Sequence, residues 1–234
     1  MQPVSYLGQK AEVRVNEFVR SVYNWMFIGL GLTGLMALYV SGNDALLRLI
    51  YGNRLIFFGL IIAELALVFS ISGMVNRISA GTATALFVIY SALNGVTLSF
   101  IFLIYARASI VSTFFICAGT FLACSIYGWT TKKDLTSLGG FLMMGLMGII
   151  IASLVNMFIR SSAMSMVVSY IGVIVFVGLT AYDTQKLKNM ALTQPDGLDG
   201  GVVRKGAILG ALSLYLDFVN LFLMLLRIFG HGRD

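Results

Sequence analysis

Seven stretches of this 234-residue chain are each long and apolar enough to cross a bilayer, which leaves few ways for it to fold. They fall near 24–40, 54–73, 82–104, 109–128, 138–158, 164–183 and 206–227. A hydrocarbon core of about 30 Å needs roughly 20 such residues per helix. Lipid offers no partner to an open backbone N–H or C=O, so spanning segments are helices or closed barrels. Barrel strands alternate apolar and polar residues over about ten positions, and these runs do not. Composition agrees: 59% of residues are hydrophobic and 11% charged, with a mean hydropathy of +0.92. A soluble domain is about half apolar and about a quarter charged. The expectation is an all-α polytopic membrane protein with seven transmembrane helices. It forms a single transmembrane domain over 1–234, behind a cytoplasmic N-terminal tail over 1–23.

Lys and Arg set the orientation. Lys10, Arg14, Arg20, Arg77, Lys132, Lys133, Lys186, Lys188, Arg204 and Lys205 fall on one side of the predicted spans. Arg48, Arg54, Arg107, Arg160, Arg227 and Arg233 fall on the other. Cytoplasmic loops carry the excess of positive charge, so ten against six puts the N-terminus in the cytoplasm and the C-terminus outside. The net charge of +6 then reflects topology and contact with anionic lipid headgroups, with no nucleic-acid partner implied. The first run has basic residues before it, as a signal peptide would, but no small-residue cleavage site, and it reads as a retained helix. Cys117 and Cys124 lie on one face of the fourth span, too far apart along it to bridge, and read as packing. Trp25 and Trp129, near span ends, read as interface anchors. The segment TQKLKNMALTQPDGLDGGVVRK is the one substantial loop, with Pro, Gly and Asp marking turns.

Polar residues inside the spans carry the functional signal. In the last span Gly206, Gly210, Ser213, Asp217, Asn220, Met224 and Arg227 recur at intervals of three and four, which is one helical stripe. Small residues allow close helix approach and polar ones avoid lipid, so this stripe faces protein or water; Gly210, Ser213 and Asn220 are candidates to line a path. Gly172, Phe176, Thr180 and Asp183 form a weaker stripe in the sixth span, so the sixth and seventh helices are expected to face each other across their aspartates. An ionised Asp at mid-span costs roughly 2.5–3.5 kcal/mol on insertion scales, which makes intramembrane carboxylates functional candidates. Two that face each other share one proton more readily than both ionise. They also offer hard oxygens to a calcium ion, too few for a tight cage of six to eight; a weak transit site is the expectation. For the pair to meet, the sixth helix must run on past Asp183 toward Lys188, or the last helix must begin late. Glu64, in LIIAELALVFS, is a third intramembrane acid, and a guanidinium partner would make its burial tolerable; Arg77 and Arg227 are the candidates. Ser91, Asn94 and Thr97 read as interhelical hydrogen-bonding groups.

GLTAYDTQKLK and LSLYLDFVNLFLMLLRIFG resemble the C-terminal signature of the Bax inhibitor-1 (TMBIM) family, and the likeness covers essentially the whole chain, SALNGVTLS in the third span included. It is to the bacterial members. The resemblance implies a seven-helix fold with the last helix central and wrapped by the other six. It implies a calcium leak across the inner membrane controlled by a pH-sensitive pair of aspartates, matched here by Asp183 and Asp217. Arg77 is similar to a latch arginine near that pair, and Arg227 to the basic residue closing the last helix, with Glu64 its partner. Calcium and protons would be the ligands, calcium as permeant ion, with no resident cofactor. The resemblance also admits a non-conducting regulator that contacts membrane proteases or stress-survival machinery.

Catalysis is not expected. Tyr182-Asp183 reproduces one element of the membrane aspartyl proteases, but their second aspartate lies in Gly-x-Gly-Asp, and here Leu214-Tyr215-Leu216 precedes Asp217. A membrane serine protease would need a histidine in a span, and the single histidine is His231 in the tail.

Overall fold

A computed structural model of the chain describes residues 4–193, 195 and 198–232, with side chains from residue 13 onward. The described residues form helices α1 (Val4–Ser41), α2 (Asp44–Tyr51), α3 (Arg54–Met74), α4 (Ala80–Leu98), α5 (Ile101–Ile104), α6 (Arg107–Thr130), α7 (Thr136–Ile159), α8 (Ser162–Thr193) and α9 (Gly200–Phe229). Seven segments have the length and hydropathy to cross a membrane, α4 and α5 together making the third. Each contains one of the runs predicted from sequence. Of the charges counted for orientation, the side chain of Lys10 and the whole of Arg233 lie outside the described residues, as do Gln194, Asp196 and Gly197 of the long loop.

From Val4 onward the predicted tail is helical, continuous with the first span. Val15, Phe18, Val22 and Met26 recur at three- and four-residue intervals and all are buried, so α1 hides an apolar stripe that begins ahead of the run predicted at 24–40.

Two compact units divide the structure: residues 1–104 with 190–215, and residues 105–189 with 216–234. In the first, α1 packs on α4, and α4 on α3. Gly95 lets α1 and α4 approach until a Cβ there would collide with the Thr33 carbonyl and lie 2.7 Å from the Met36 Cβ. Tyr51, ending α2, donates to the Thr97 carbonyl at 3.0 Å and shares a 2.9 Å hydrogen bond with Ser99 Oγ. It thereby serves carbonyls that lose their helical partners where α4 stops.

In the second unit, Gly128 of α6 packs so closely on α8 that a Cβ would overlap the Ala181 carbonyl. Past Asp183, α8 continues for ten residues to Thr193. That extension is tied down at two points. Gln185 accepts from the Leu135 N–H and donates to the Lys133 carbonyl, both at 2.8 Å, pinning the turn between α6 and α7. Lys188 donates to the Trp129 carbonyl at 2.7 Å, where a cation suits the C-terminal end of α6. Asp183 therefore sits inside a secured helix, not at its frayed end.

The last helix is the most interior span. In its most apolar window 72% of residues are buried, against 50% in the α4–α5 segment and 6% in α3. A helix apolar nearly all round belongs inside a protein, and it is the apolar faces of α9 that are covered, while its polar stripe keeps partial access at Ser213, Asn220 and Met224.

Candidate functional site

Two contacts within the second unit fix how α8 and α9 meet. Arg227 donates to Ser169 Oγ at 3.5 Å, and a Cβ on Gly172 would lie 2.8 Å from Met224 Cγ. In both pairs the residue numbers add up to 396, as two antiparallel helices in one register require. That register sets Asp217 level with Leu179 and leaves Asp183 four residues further along α8, roughly 6 Å at 1.5 Å per residue. The charge of Asp183 bears directly on Asp217. The sixth and seventh spans thus do face each other along the predicted stripes, and the extension of α8 brings the two carboxylates within one turn.

Their surroundings differ. Asp217 is 5% exposed and its Oδ2 has no hydrogen-bond partner. An orphaned carboxylate oxygen is costly in a protein interior, and one so placed awaits a proton, a water or a cation. Asp183 is half-buried, with the Lys186 ammonium acting on it from one turn along α8. Below it, Thr180 donates to the Phe176 carbonyl at 2.7 Å and Thr184 to the Thr180 carbonyl at 2.8 Å, so these hydroxyls serve their own helix. On the facing surface of α6, Ser125 and Thr113 are buried with hydroxyls that meet no partner, and Cys117 donates to the Phe218 carbonyl at 3.6 Å.

Along the α9 stripe, Gly210 is buried and Ser213 and Asn220 are partly accessible. In the C-terminal half of α9, Leu216, Asn220, Leu223, Met224 and Arg227, recurring at intervals of one, three and four, keep access to solvent or lipid on this face. Asn220 donates to the Leu216 carbonyl at 2.8 Å. Among the described residues no three His, Cys, Asp or Glu side chains cluster as a metal cage.

Glu64 is held differently from the expectation. Its two oxygens accept from Thr97 Oγ1 at 2.6 Å and Asn94 Nδ2 at 3.3 Å, neutral donors on α4 where an arginine was predicted. Arg77 is exposed in the turn between α3 and α4, and Arg227 donates to Ser169. The physical reason is that Glu64 is only half-buried, and a carboxylate with remaining access to solvent is satisfied by hydroxyl and amide donors without a buried counter-charge. The hydrogen bonds continue inward. Tyr215 Oη donates to Asn94 Oδ1 at 3.0 Å and shares 2.7 Å with Thr33 Oγ1, which also reaches the Ser91 carbonyl at 2.8 Å. Sequence reasoning missed Tyr215, because it falls outside the polar stripe of its helix. The available signal was the phenol itself, which needs a partner wherever a tyrosine is buried.

Comparison with known proteins accords with this architecture. The family model described as "Inhibitor of apoptosis-promoting Bax1" matches residues 15–234. The inner membrane protein YbhL of Escherichia coli K12 is 56% identical over 216 residues, 92% of each chain. A Borreliella burgdorferi protein is 49% identical over 227 residues, 97% of each chain. One from Deinococcus radiodurans is 44% identical over 234 residues, all of this chain and 98% of its own.

Proposed function

The chain belongs to the Bax inhibitor-1 family, and on that premise we propose that it is a pH-sensitive cation leak pathway of the bacterial inner membrane, gated by Asp183 and Asp217. The observation that carries this reading is the buried Asp217 Oδ2, which has no hydrogen-bond partner and lies in the field of a second carboxylate one turn away. A carboxylate kept only for packing would be satisfied by neighbouring donors, as Glu64 is. One whose oxygen is left open is suited to exchanging a proton for a cation. Calcium as the permeant ion rests on the resemblance to the family, and the oxygen donors suit it. Inner-membrane placement follows the printed name of the Escherichia coli relative. The N-terminus is proposed to be cytoplasmic and the C-terminus outside, so a reporter fused after Asp234 is expected on the outer side; a cytoplasmic reporter would overturn the assignment.

Purified protein in liposomes loaded with a calcium dye tests the function. Flux is expected to change with pH on the cytoplasmic face, and Asp217→Asn, nearly isosteric, is expected to remove that dependence. Asp183→Asn should do the same, and the double variant should resemble either single one because both titrate as a unit. If both single variants keep the parent's pH profile, the carboxylates are structural. Absence of flux for every cation tried would favour a non-conducting regulator of membrane proteases or survival machinery.

A further inference from the structure

At the end of the second unit where α7 hands over to α8, a cavity of about 180 Å³ lies beside Arg227. It is lined by Ser153, Asn156 and Met157 of α7, Ser165 and Val168 of α8, and Arg227 in the last turn of α9. None of these is acidic. The turn between the two helices is short, Arg160 taking a left-handed conformation with φ 57° as the cap of α7. Asn156 stitches that turn: its Oδ1 accepts from the Ser161 N–H at 3.0 Å and its Nδ2 donates to Ser165 Oγ at 2.6 Å.

Those two bonds decide what the cavity can offer. The amide oxygen of Asn156 and one lone pair of Ser165 are already used, which leaves the Ser165 O–H and the second N–H of Asn156 to donate. The Ser153 hydroxyl adds a third donor. Arg227 has five N–H groups and no acceptor, and its hydrogen bond in the structure, to Ser169 at 3.5 Å, is at the limit of length. A concave surface of donors around one guanidinium is a site for an oxyanion, and Arg matches the forked geometry of phosphate.

Position identifies the source of the phosphate. Asn156, Ser165 and Arg227 all lie within about one turn of a helix end, the depth at which spans meet lipid headgroups. Met157 and Val168 give the cavity an apolar wall, and Phe158, next in sequence to Met157, is 81% exposed, a surface suited to acyl chains. We propose that this cavity binds the phosphodiester of a bilayer phospholipid, with Arg227 as the charged contact and Ser153 and Ser165 as the neutral ones. Arg227 then anchors lipid rather than neutralising Glu64.

The full-length protein, stripped of co-purifying lipid in a neutral detergent, tests this by native mass spectrometry. Three probes are titrated: dioctanoyl phosphatidylglycerol, dioctanoylglycerol, which lacks the phosphate, and inorganic phosphate. One saturable adduct is expected with the phospholipid alone. Arg227→Gln is expected to weaken it about tenfold, the scale of a hydrogen bond to a charged group, and Ser153→Ala to weaken it by a smaller factor. Equal binding of dioctanoylglycerol would show an apolar groove with no phosphate recognition. Displacement of the lipid by inorganic phosphate would make the site one for a free anion. Either result overturns the proposal, as does an Arg227→Gln protein with parental lipid affinity. Should Arg227→Gln fail to fold, Ser153→Ala decides alone, and parity with the parent refutes the site.

Discussion

Tyr215→Phe removes one oxygen from a buried hydrogen-bond chain in the first unit, and its consequence can be worked out group by group. Tyr215 has no exposed surface. Its ring is held edge-on by Phe87 and Tyr90, with centroids 5.9 and 5.6 Å away, and phenylalanine keeps both contacts. What disappears is the donor to Asn94 Oδ1 and the partner of Thr33 Oγ1. Thr33 is covered, since the Gly29 and Ser91 carbonyls remain at 2.9 and 2.8 Å. Asn94 is not covered: its side chain is buried and turned so that Nδ2 reaches Glu64, so its oxygen loses its donor in a dry site. An acceptor left unsatisfied in this way costs about 1–3 kcal/mol. Glu64→Gln should cost about 0.5–1.5 kcal/mol in the parent background, the worth of one ordinary hydrogen bond, because the new amide can still accept from Thr97 but faces the Asn94 amide donor to donor. In the Tyr215→Phe background Asn94 is free to flip its amide, so the same change should cost less. Chemical unfolding in detergent, run as a double-mutant cycle, measures both. Effects additive within about 0.3–0.5 kcal/mol would mean the two ends are not coupled through Asn94, and a Tyr215→Phe protein as stable as the parent would refute the chain altogether.

Two glycines on α6 make a paired test of close helix approach. Gly128→Ala drives a Cβ into the Ala181 backbone, which cannot move aside as a flexible side chain could, and should destabilise by about 1–3 kcal/mol. It should also disturb the pH profile of flux, because it displaces α8 two residues before Asp183. At Gly119, by contrast, an added Cβ meets nothing within 4 Å, and Gly119→Ala should stabilise the helix by about 0.5–1 kcal/mol; similar melting temperatures for the two variants would contradict the packing described. Asp134, exposed before α7, has its carboxyl held below the ordinary range by hydrogen bonds from the Thr136 side chain and N–H, the latter at 2.9 Å. A lowered folded value means its contribution is present above the unfolded carboxylate range and is lost as pH falls through the lowered value. Asp134→Asn should therefore flatten the pH dependence of melting below about pH 4, and an unchanged acid limb would show that these hydrogen bonds do not contribute.

Much of the molecule was legible because hydrophobicity and helical period are local properties. Six of the seven runs fall inside one long helix and the third is shared by α4 and α5, and the stripe from Gly206 to Arg227 marked the helix that the structure makes most interior. Asp183 and Asp217 were found for the same reason: a charge in an apolar run is conspicuous without any knowledge of its neighbours. Where hydropathy ceases to discriminate, the reading was weaker. The helical continuation of α1 into residues 4–23 and of α8 to Thr193 depends on Val15, Phe18 and Val22 finding cover, and on Gln185 and Lys188 reaching the ends of other helices.

From its order of residues alone, then, this chain determines that it spans a membrane seven times through helices, and which positions cannot face lipid. Only the tertiary structure decides who answers whom. Glu64 takes Thr97 and Asn94 rather than an arginine, because α4 places neutral donors at its half-buried carboxylate. Tyr215 is recruited from an apolar face because Asn94 and Thr33 converge on its hydroxyl. Asp217 keeps an unpartnered oxygen because no described donor is brought to it. The partition between an aliphatic side chain and water is fixed by that residue's own surface. A hydrogen bond, in contrast, requires two atoms within about 3 Å at a defined angle, a condition set jointly by helices distant along the chain.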